Sequence, residues 1–200
     1  LEESVTSLFF ALMNPEDKEQ LKGLQAFSDR IEYIHIPYVL DIKTEVEIYR
    51  EIFGKQIDES FLPRVLQNFA RVIISTRLII ESEALLEWIT NPAQYELYCD
   101  KNLQLLKMEI YTGNIPGWLS ETDLKEFTAK RRQQLLTESE KDGWHGFSGR
   151  DSIRLFNDFF SMYSNDKKLI DMSMLGKFFR KYCRQEKDII PPQFPDSLLR

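Results

Sequence analysis

The chain has 200 residues, of which 42% are hydrophobic and 12% aromatic, enough to bury a core in one domain or in a small domain beside the end of another. Its formal net charge of −6 argues against broad contact with a nucleic-acid backbone, which requires a basic excess. The two cysteines are far apart, and no apolar stretch approaches the ~20 residues needed to span a bilayer. These features favour a cytoplasmic chain with no disulfide framework, no nucleic-acid partner and no membrane span.

The first forty residues predict two strands of a sheet that is buried on both faces. Residues 5–13 form a short continuous apolar run, and residues 31–39 are a second strand candidate, bounded by Arg30 before it and by Pro37 near its end. A helical connection between two such strands implies a parallel sheet. Because two strands cannot form this sheet alone, its remainder is expected upstream of Leu1, and the chain is expected to begin within a domain.

From Thr44 onward the apolar residues recur with helical spacing. Ser148 and Asp151 have the spacing of a capping box at the start of one of these helices. The predicted helices cover residues 44–54, 60–80, 92–113 and 120–139, one that begins after Ser148, and a last one around residues 174–182.

The predicted fold class is therefore mainly α, with a short α/β remnant followed by a helical lid-type domain. The remnant covers residues 1–42, the helical domain residues 43–188, and a proline-rich tail or linker residues 189–200. The sequence contains no phosphate-binding G-x-x-x-x-G-K-[ST] loop, no G-x-S-x-G nucleophile elbow and no H-E-x-x-H zinc motif. No metal site is expected, and no pair of residues makes a self-sufficient active site.

Two polar residues stand next to the predicted strands. Asn14 directly follows the first strand, and ligands collect at the carboxyl ends of parallel strands. The alternative is that Asn14 simply starts a turn with Pro15. Arg30 precedes the second strand, where a guanidinium at a sheet edge can reach a neighbouring subunit's phosphate. Its alternative role is a surface ion pair with Asp29 or Glu32, which would contribute little.

Arg150 lies in the first turn of the helix that Ser148 is predicted to cap. A cation there opposes the helix dipole, which favours anions at that end. The same end gathers exposed backbone N–H groups, so an arginine beside it makes an anion-binding corner. The alternative is a solvated arginine that pairs with Asp151 or with the acidic neighbours of Arg154.

These three positions, in this order, resemble the AAA+ ATPases. Residues 8–16 (LFFALMNPE) resemble the sensor-one strand, which ends in a polar Asn. Residues 26–31 (AFSDRI), followed by the strand through residues 36–38 (IPY), look like the arginine-finger segment and the last core strand. Residues 146–150 (GFSGR) are similar to the sensor-two motif on the lid helix.

Within the AAA+ proteins, the sequence resembles the PrkA-type serine protein kinases over nearly its whole length. The segments that carry this resemblance are residues 29–31 (DRI), 36–40 (IPYVL), 45–49 (EVEIY), 106–113 (LKMEIYTG) and 151–153 (DSI).

The resemblance implies the sensor-and-lid portion of an ATP-dependent serine protein kinase or ATPase that forms homo-oligomers and acts on a protein substrate. ATP and Mg would be bound mainly by residues upstream of Leu1, so the chain alone is expected to be inactive. Asn14 would position the attacking water, Arg30 would act on the next subunit's nucleotide, and Arg150 would contact the γ-phosphate.

The alternative function is a non-catalytic helical protein-interaction module. The aromatic-rich helices around residues 95–110 and 156–163 would supply its groove. A plain helical core explains the same aromatic stripes.

Overall fold

A computed structural model describes residues 10–12, 32–164 and 168–185. The chain divides into two compact units, residues 1–36 and residues 37–200. The described residues of the first unit have no regular secondary structure, and all the described helices belong to the second unit.

The predicted α/β remnant does not appear in the described residues. Residues 32–39 form no strand, and Phe10 and Leu12 are 86% and 95% exposed where the first strand was expected to be buried. A strand buried on both faces needs neighbours that satisfy its backbone groups, and the described residues offer only one isolated parallel bridge, between Phe61 and Ile170. The rest of the first predicted strand, and the tail at residues 189–200, lie outside the described residues.

The second unit is helical, as the sequence predicts. Its α-helices are α1 (Ile42–Phe53), α2 (Val65–Ser75), α3 (Glu83–Trp88), α4 (Gln104–Tyr111), α5 (Glu121–Glu126), α6 (Ala129–Glu138), α7 (Gly149–Tyr163) and α8 (Met172–Gln185), with short 3-10 helices at Lys55–Ser60, Pro92–Tyr95 and Ser139–Lys141. None of the helices in the described residues combines the length and the apolar character that crossing a membrane requires.

Three predicted helices are shorter than expected or interrupted. The helix predicted over residues 60–80 is α2 alone, since Arg64 takes a left-handed conformation with φ 70° and the helix begins after it. The helix predicted over residues 92–113 breaks before α4, where Leu103 has φ 56°. The helix predicted over residues 120–139 divides into α5 and α6, because Thr128 caps a new start by accepting a hydrogen bond from the Arg131 N–H at 3.3 Å.

The apolar side chains form two cores that share α4. The first lies among α1, α2, α7 and α8, where Phe69 packs against Phe156, Phe159 and Phe179 with ring centroids 5.3, 5.4 and 5.3 Å away. The second lies among α3 to α6. On α4, Met108 belongs to the first core and Leu106 to the second. The two cores are thereby joined through one helix.

The aromatic stripes considered for a docking groove belong to these cores. Phe156 and Phe159 are fully buried, and Tyr95 is 3% exposed. These side chains stabilise the fold by removing large apolar surfaces from water. A plain helical core therefore accounts for Phe156, Phe159 and Tyr95.

The thiol of Cys99 is expected to be unreactive in the folded chain. Its burial, reinforced by the negative charge of Asp100, raises its pKa to about 12. Since the thiolate is the reactive form, Cys99 stays protonated at pH 8. We expect DTNB to modify one thiol quickly in the native chain, that of the partly exposed Cys183, and two after unfolding in guanidinium. The Cys99→Ser variant should retain the fast reaction, and two fast thiols in the native wild-type chain would contradict the expectation.

Candidate functional site

The loop at residues 142–148 carries the chain into α7 and is shaped by two glycines. Gly143 and Gly146 have φ 79° and 86°, a region that residues with a Cβ atom rarely adopt. A Cβ atom on Gly146 would overlap the carbonyl group of Thr76, and one on Gly143 would lie 3.0 Å from the carbonyl oxygen of Tyr38. The loop therefore packs directly against the backbone at the end of α2 and against the segment before α1.

Backbone hydrogen bonds hold this loop in place. The N–H of Gly143 donates to the carbonyl of Arg77 at 2.8 Å, and the carbonyl of Gly143 accepts from the N–H of Tyr38 at 2.8 Å. The N–H of Phe147 donates to the hydroxyl of Thr76 at 3.1 Å. The loop is thus fixed near both of its ends before α7 begins.

A buried ion pair lies beneath the loop. The guanidinium of Arg77, 2% exposed, donates to both carboxylate oxygens of Glu45, also 2% exposed, at 2.8 and 3.2 Å. It also donates to the carbonyls of Phe147 at 2.8 Å and Val39 at 2.7 Å. Because four acceptor oxygens surround the cation, its desolvation is compensated by geometry that few buried pairs achieve.

Glu45 extends the ion pair to α7. Its carboxylate accepts from the hydroxyl of Tyr49 at 3.0 Å and from the hydroxyl of Ser152 at 2.5 Å. Burial, together with the negative charge of Glu45, raises the pKa of Tyr49 well above its ordinary value. Tyr49 therefore remains a neutral hydrogen-bond donor, and the network joins α1, α2 and the first turns of α7.

A second buried pair fixes the start of the loop. The carboxylate of Asp142 lies 2.9 Å from the ammonium of Lys107, both side chains being at most 2% exposed. It also accepts from the hydroxyl of Tyr111 at 2.7 Å and the N–H of Ile79 at 2.6 Å. Burial and the hydrogen bond to Asp142 raise the pKa of Tyr111 above its ordinary value. This pair ties the loop to α4.

The capping box predicted for Ser148 and Asp151 is present at the start of α7. The Ser148 hydroxyl accepts from the N–H of Asp151 at 3.1 Å, while the Asp151 carboxylate accepts from the N–H of Ser148 at 3.2 Å and from its hydroxyl at 2.7 Å. The remaining oxygen of this carboxylate pairs with Arg154 at 3.4 Å. Both carboxylate oxygens of Asp151 are therefore occupied, one by Ser148 and the other by Arg154.

Arg150 is the second residue of α7, and it is exposed. Among the described residues it makes no ion pair or side-chain hydrogen bond, so the alternative of a pair with Asp151 is wrong. Its guanidinium stands next to the positive end of a 15-residue helix, and it pairs with no anion in the part of the chain that the structure describes.

The structure locates only one of the three predicted site residues. Asn14 and Arg30 lie outside the described residues, so their roles stay predictions. The described residues hold no group of three or more His, Cys, Asp or Glu side chains that could bind a metal ion.

Sequence reasoning missed the buried pairs that position Arg150. The available signal was the charge of Arg77, which is the one charged residue of the segment at residues 72–80 (VIISTRLII). A charged residue in such a run needs a buried partner. Its partner could not be identified from the sequence, because Glu45 lies 32 residues away.

The comparisons with known proteins gave one match. Residues 105–198 match the family model of the PrkA serine protein kinase C-terminal domain. This segment includes α7, Arg150, and the Lys107 and Asp142 pair. No curated protein and no solved structure matches the chain significantly.

Proposed function

Because residues 105–198 match the family model of the PrkA serine protein kinase C-terminal domain, we propose that the chain is the sensor-and-lid portion of an ATP-binding AAA+ serine protein kinase. Its role is to couple the state of the nucleotide to a change in conformation. The observation that carries the proposal is Arg150, an exposed guanidinium that has no partner among the described residues, in the first turn of a helix anchored by buried ion pairs.

This corner suits the phosphate groups of ATP. The N–H groups of Gly149 and Arg150 have no acceptor among the described residues, and they point out of the helix end with the positive side of its dipole. The carboxylate of Asp151 is occupied by Ser148 and Arg154. Because one carboxylate stands so close, attraction of an anion depends on the charge of Arg150, which is the residue we assign to the γ-phosphate.

The buried networks supply the coupling. When Arg150 binds a phosphate, any displacement of the α7 start is passed to α2 through Arg77, and to α1 through Glu45. The segment before α1 follows, because Val39 accepts from the same guanidinium and Tyr38 donates to Gly143. The start of α7, α1, α2 and the segment before α1 therefore move together. In this proposal Asn14 positions the attacking water and Arg30 acts on the nucleotide of the next subunit.

Arg150→Ala in the complete kinase that contains this chain tests the assignment, with Arg154→Ala as the matched control one turn further along α7. The loss of a charged hydrogen bond of about 1.5–3 kcal/mol predicts that Arg150→Ala weakens binding of a fluorescent ATP analogue by about 10-fold or more. Arg154→Ala should change it less than 2-fold. Titration of the analogue followed by fluorescence anisotropy gives both affinities. Equal affinities of wild type and Arg150→Ala would exclude the sensor role.

The same variant separates the switch from an interaction module. A lost response to nucleotide with intact binding of the protein substrate supports the switch, and the reverse result supports a docking module. The chain alone should show no ATP hydrolysis, since the phosphate-binding loop is proposed to lie elsewhere. Robust hydrolysis by the purified chain would contradict the proposal.

A further inference from the structure

The last helix, α8, has an apolar side and a cationic side. Leu175, Phe178 and Phe179 are at most 5% exposed and belong to the first core. The other side carries four exposed cations that together line a shallow depression, Lys177, Arg180, Lys181 and Arg184. We call these four residues the α8 cationic face. Their spacing of three, four and seven residues places them along one stripe about 10 Å long.

The α8 cationic face is not balanced by acids on its own helix. None of its four residues makes an ion pair among the described residues, and the sequence of α8 (MSMLGKFFRKYCRQ) contains no acid. Elsewhere the chain, with its net charge of −6, provides carboxylate partners for many cations, which are Arg50, Arg71, Arg77, Lys107, Lys125, Arg131 and Arg154. The absence of acids on α8 is therefore a local feature of this helix.

The helix dipole explains only part of this pattern. Cations in the last turn of a helix are favoured by its negative end, which accounts for Arg184. Lys177 stands near the middle of α8, beyond the reach of that effect. Each of the four like charges also repels its neighbours three and four residues away, which destabilises an isolated helix.

The helix that carries the cationic face is packed firmly against the first core. Phe178 packs against Phe159 with ring centroids 5.2 Å apart, and Tyr182 packs edge-on against Phe147 at 6.1 Å. Because these contacts hold the helix along its length, the backbone positions of the four cationic residues are fixed. A partner would then lose little backbone entropy on the side of this chain.

We propose that the α8 cationic face is a docking surface for an acidic segment of a partner protein, one that carries Asp or Glu side chains at helical or extended spacing. Four cations match a short segment of three or four carboxylates. A nucleic acid fits less well, because it continues beyond the face onto a chain whose net charge is −6. A membrane surface fits less well, because a helix that lies on a bilayer needs its apolar side free, and that of α8 is buried. The proposal is independent of Arg150 and goes beyond the sensor-and-lid function.

A labelled peptide tests the docking surface on the full chain. The probe is a fluorescein-labelled 14-residue peptide of Glu, Asp, Ala and Ser, and its counterpart has Gln and Asn in place of the acids. Fluorescence anisotropy is measured at 50 mM and 300 mM salt. We expect the acidic peptide to bind at least 10-fold more tightly than its neutral counterpart at low salt and to lose most of this affinity at high salt, because exposed charges are screened.

Two charge-reversal variants locate the binding. Arg180→Glu with Lys181→Glu should weaken binding at least 10-fold. The control, Lys130→Glu with Arg132→Glu, changes the net charge equally at exposed positions of α6 and should weaken binding less than 2-fold. Circular dichroism confirms that both variants fold. The proposal is overturned if the wild-type chain does not bind the acidic peptide, if both variants lose affinity equally, or if phosphatidylserine vesicles or a single-stranded oligonucleotide bind the face more tightly than the peptide.

Discussion

Replacing Arg77 by Met is expected to lower the free energy of unfolding by about 3–5 kcal/mol, because it leaves the Glu45 carboxylate buried without its cation. Both side chains are at most 2% exposed, so water cannot replace the lost charge. The change also removes the donors to the carbonyls of Phe147 and Val39. Urea denaturation of the chain, followed by circular dichroism, measures the loss.

A double-mutant cycle separates the pair from its surroundings. Glu45→Gln with Arg77→Met should lose less than the sum of the two single variants, since removing both charges leaves neither one unpaired. Arg50→Met is the matched control, because Arg50 pairs with Asp58 at 2.9 Å where the side chains are 26% and 45% exposed. Such an exposed pair contributes about 1 kcal/mol or less. If Arg77→Met cost no more than Arg50→Met, the buried pair would not hold the loop.

Replacing Arg77 is also expected to affect the start of α7. Arg77 touches α1 through Glu45, the loop through Phe147, and the segment before α1 through Val39. Replacing it should therefore loosen the start of α7 before the chain unfolds. Hydrogen exchange of the amides at residues 143–152 would report this loosening.

The sequence predicted helices well where one physical signal dominates. α1 was predicted from its apolar face and its glycine stop, and it ends at Gly54, whose φ is 86°. The cap of α7 was predicted from two residues, Ser148 and Asp151, whose hydrogen bonds are local and need no tertiary contact. Amphipathic spacing and capping are properties of neighbouring residues, so a sequence reveals them directly.

Breaks in helices were harder to predict. Arg64 and Leu103 adopt left-handed backbone conformations with φ 70° and 56°, although neither is Gly or Asn. Packing imposes this conformation on Leu103 against its local preference, whereas Arg64 is exposed. Leu103 is 1% exposed, so its burial offsets the local strain. The helix predicted over residues 92–113 was therefore wrong across this break, for a reason that lies in tertiary contacts.

One part of the candidate site could likewise be predicted from local sequence, and the other part could not. Arg150 was identified from its place in a capped helix, and it lies there. The charges that hold its helix, Glu45 with Arg77 and Lys107 with Asp142, join residues 32 and 35 positions apart. Pairing over such a distance along the chain depends on the fold, and no local sequence pattern predicts it.

Gly146→Ala is expected to destabilise the chain by about 3 kcal/mol or more, because two costs combine at this position. An alanine at φ 86° is strained by about 1–2 kcal/mol. Its Cβ would also overlap the carbonyl group of Thr76, a backbone neighbour that cannot move aside as a side chain would. The loop would have to leave Thr76 and Arg77, breaking the hydrogen bonds that position Phe147.

Gly149→Ala is the matched control three residues later. Gly149 begins α7, and a Cβ atom there meets nothing within 4 Å. Alanine at such a site lowers the entropy of the unfolded chain, and we expect a change between zero and about 1 kcal/mol in favour of the folded state. Both variants are compared by urea denaturation. If the proposed function holds, Gly146→Ala should also weaken binding of the ATP analogue by the complete protein, since Arg150 would follow the displaced loop. Equal stability of the two variants would show that the contact between Gly146 and Thr76 does not fix the start of α7.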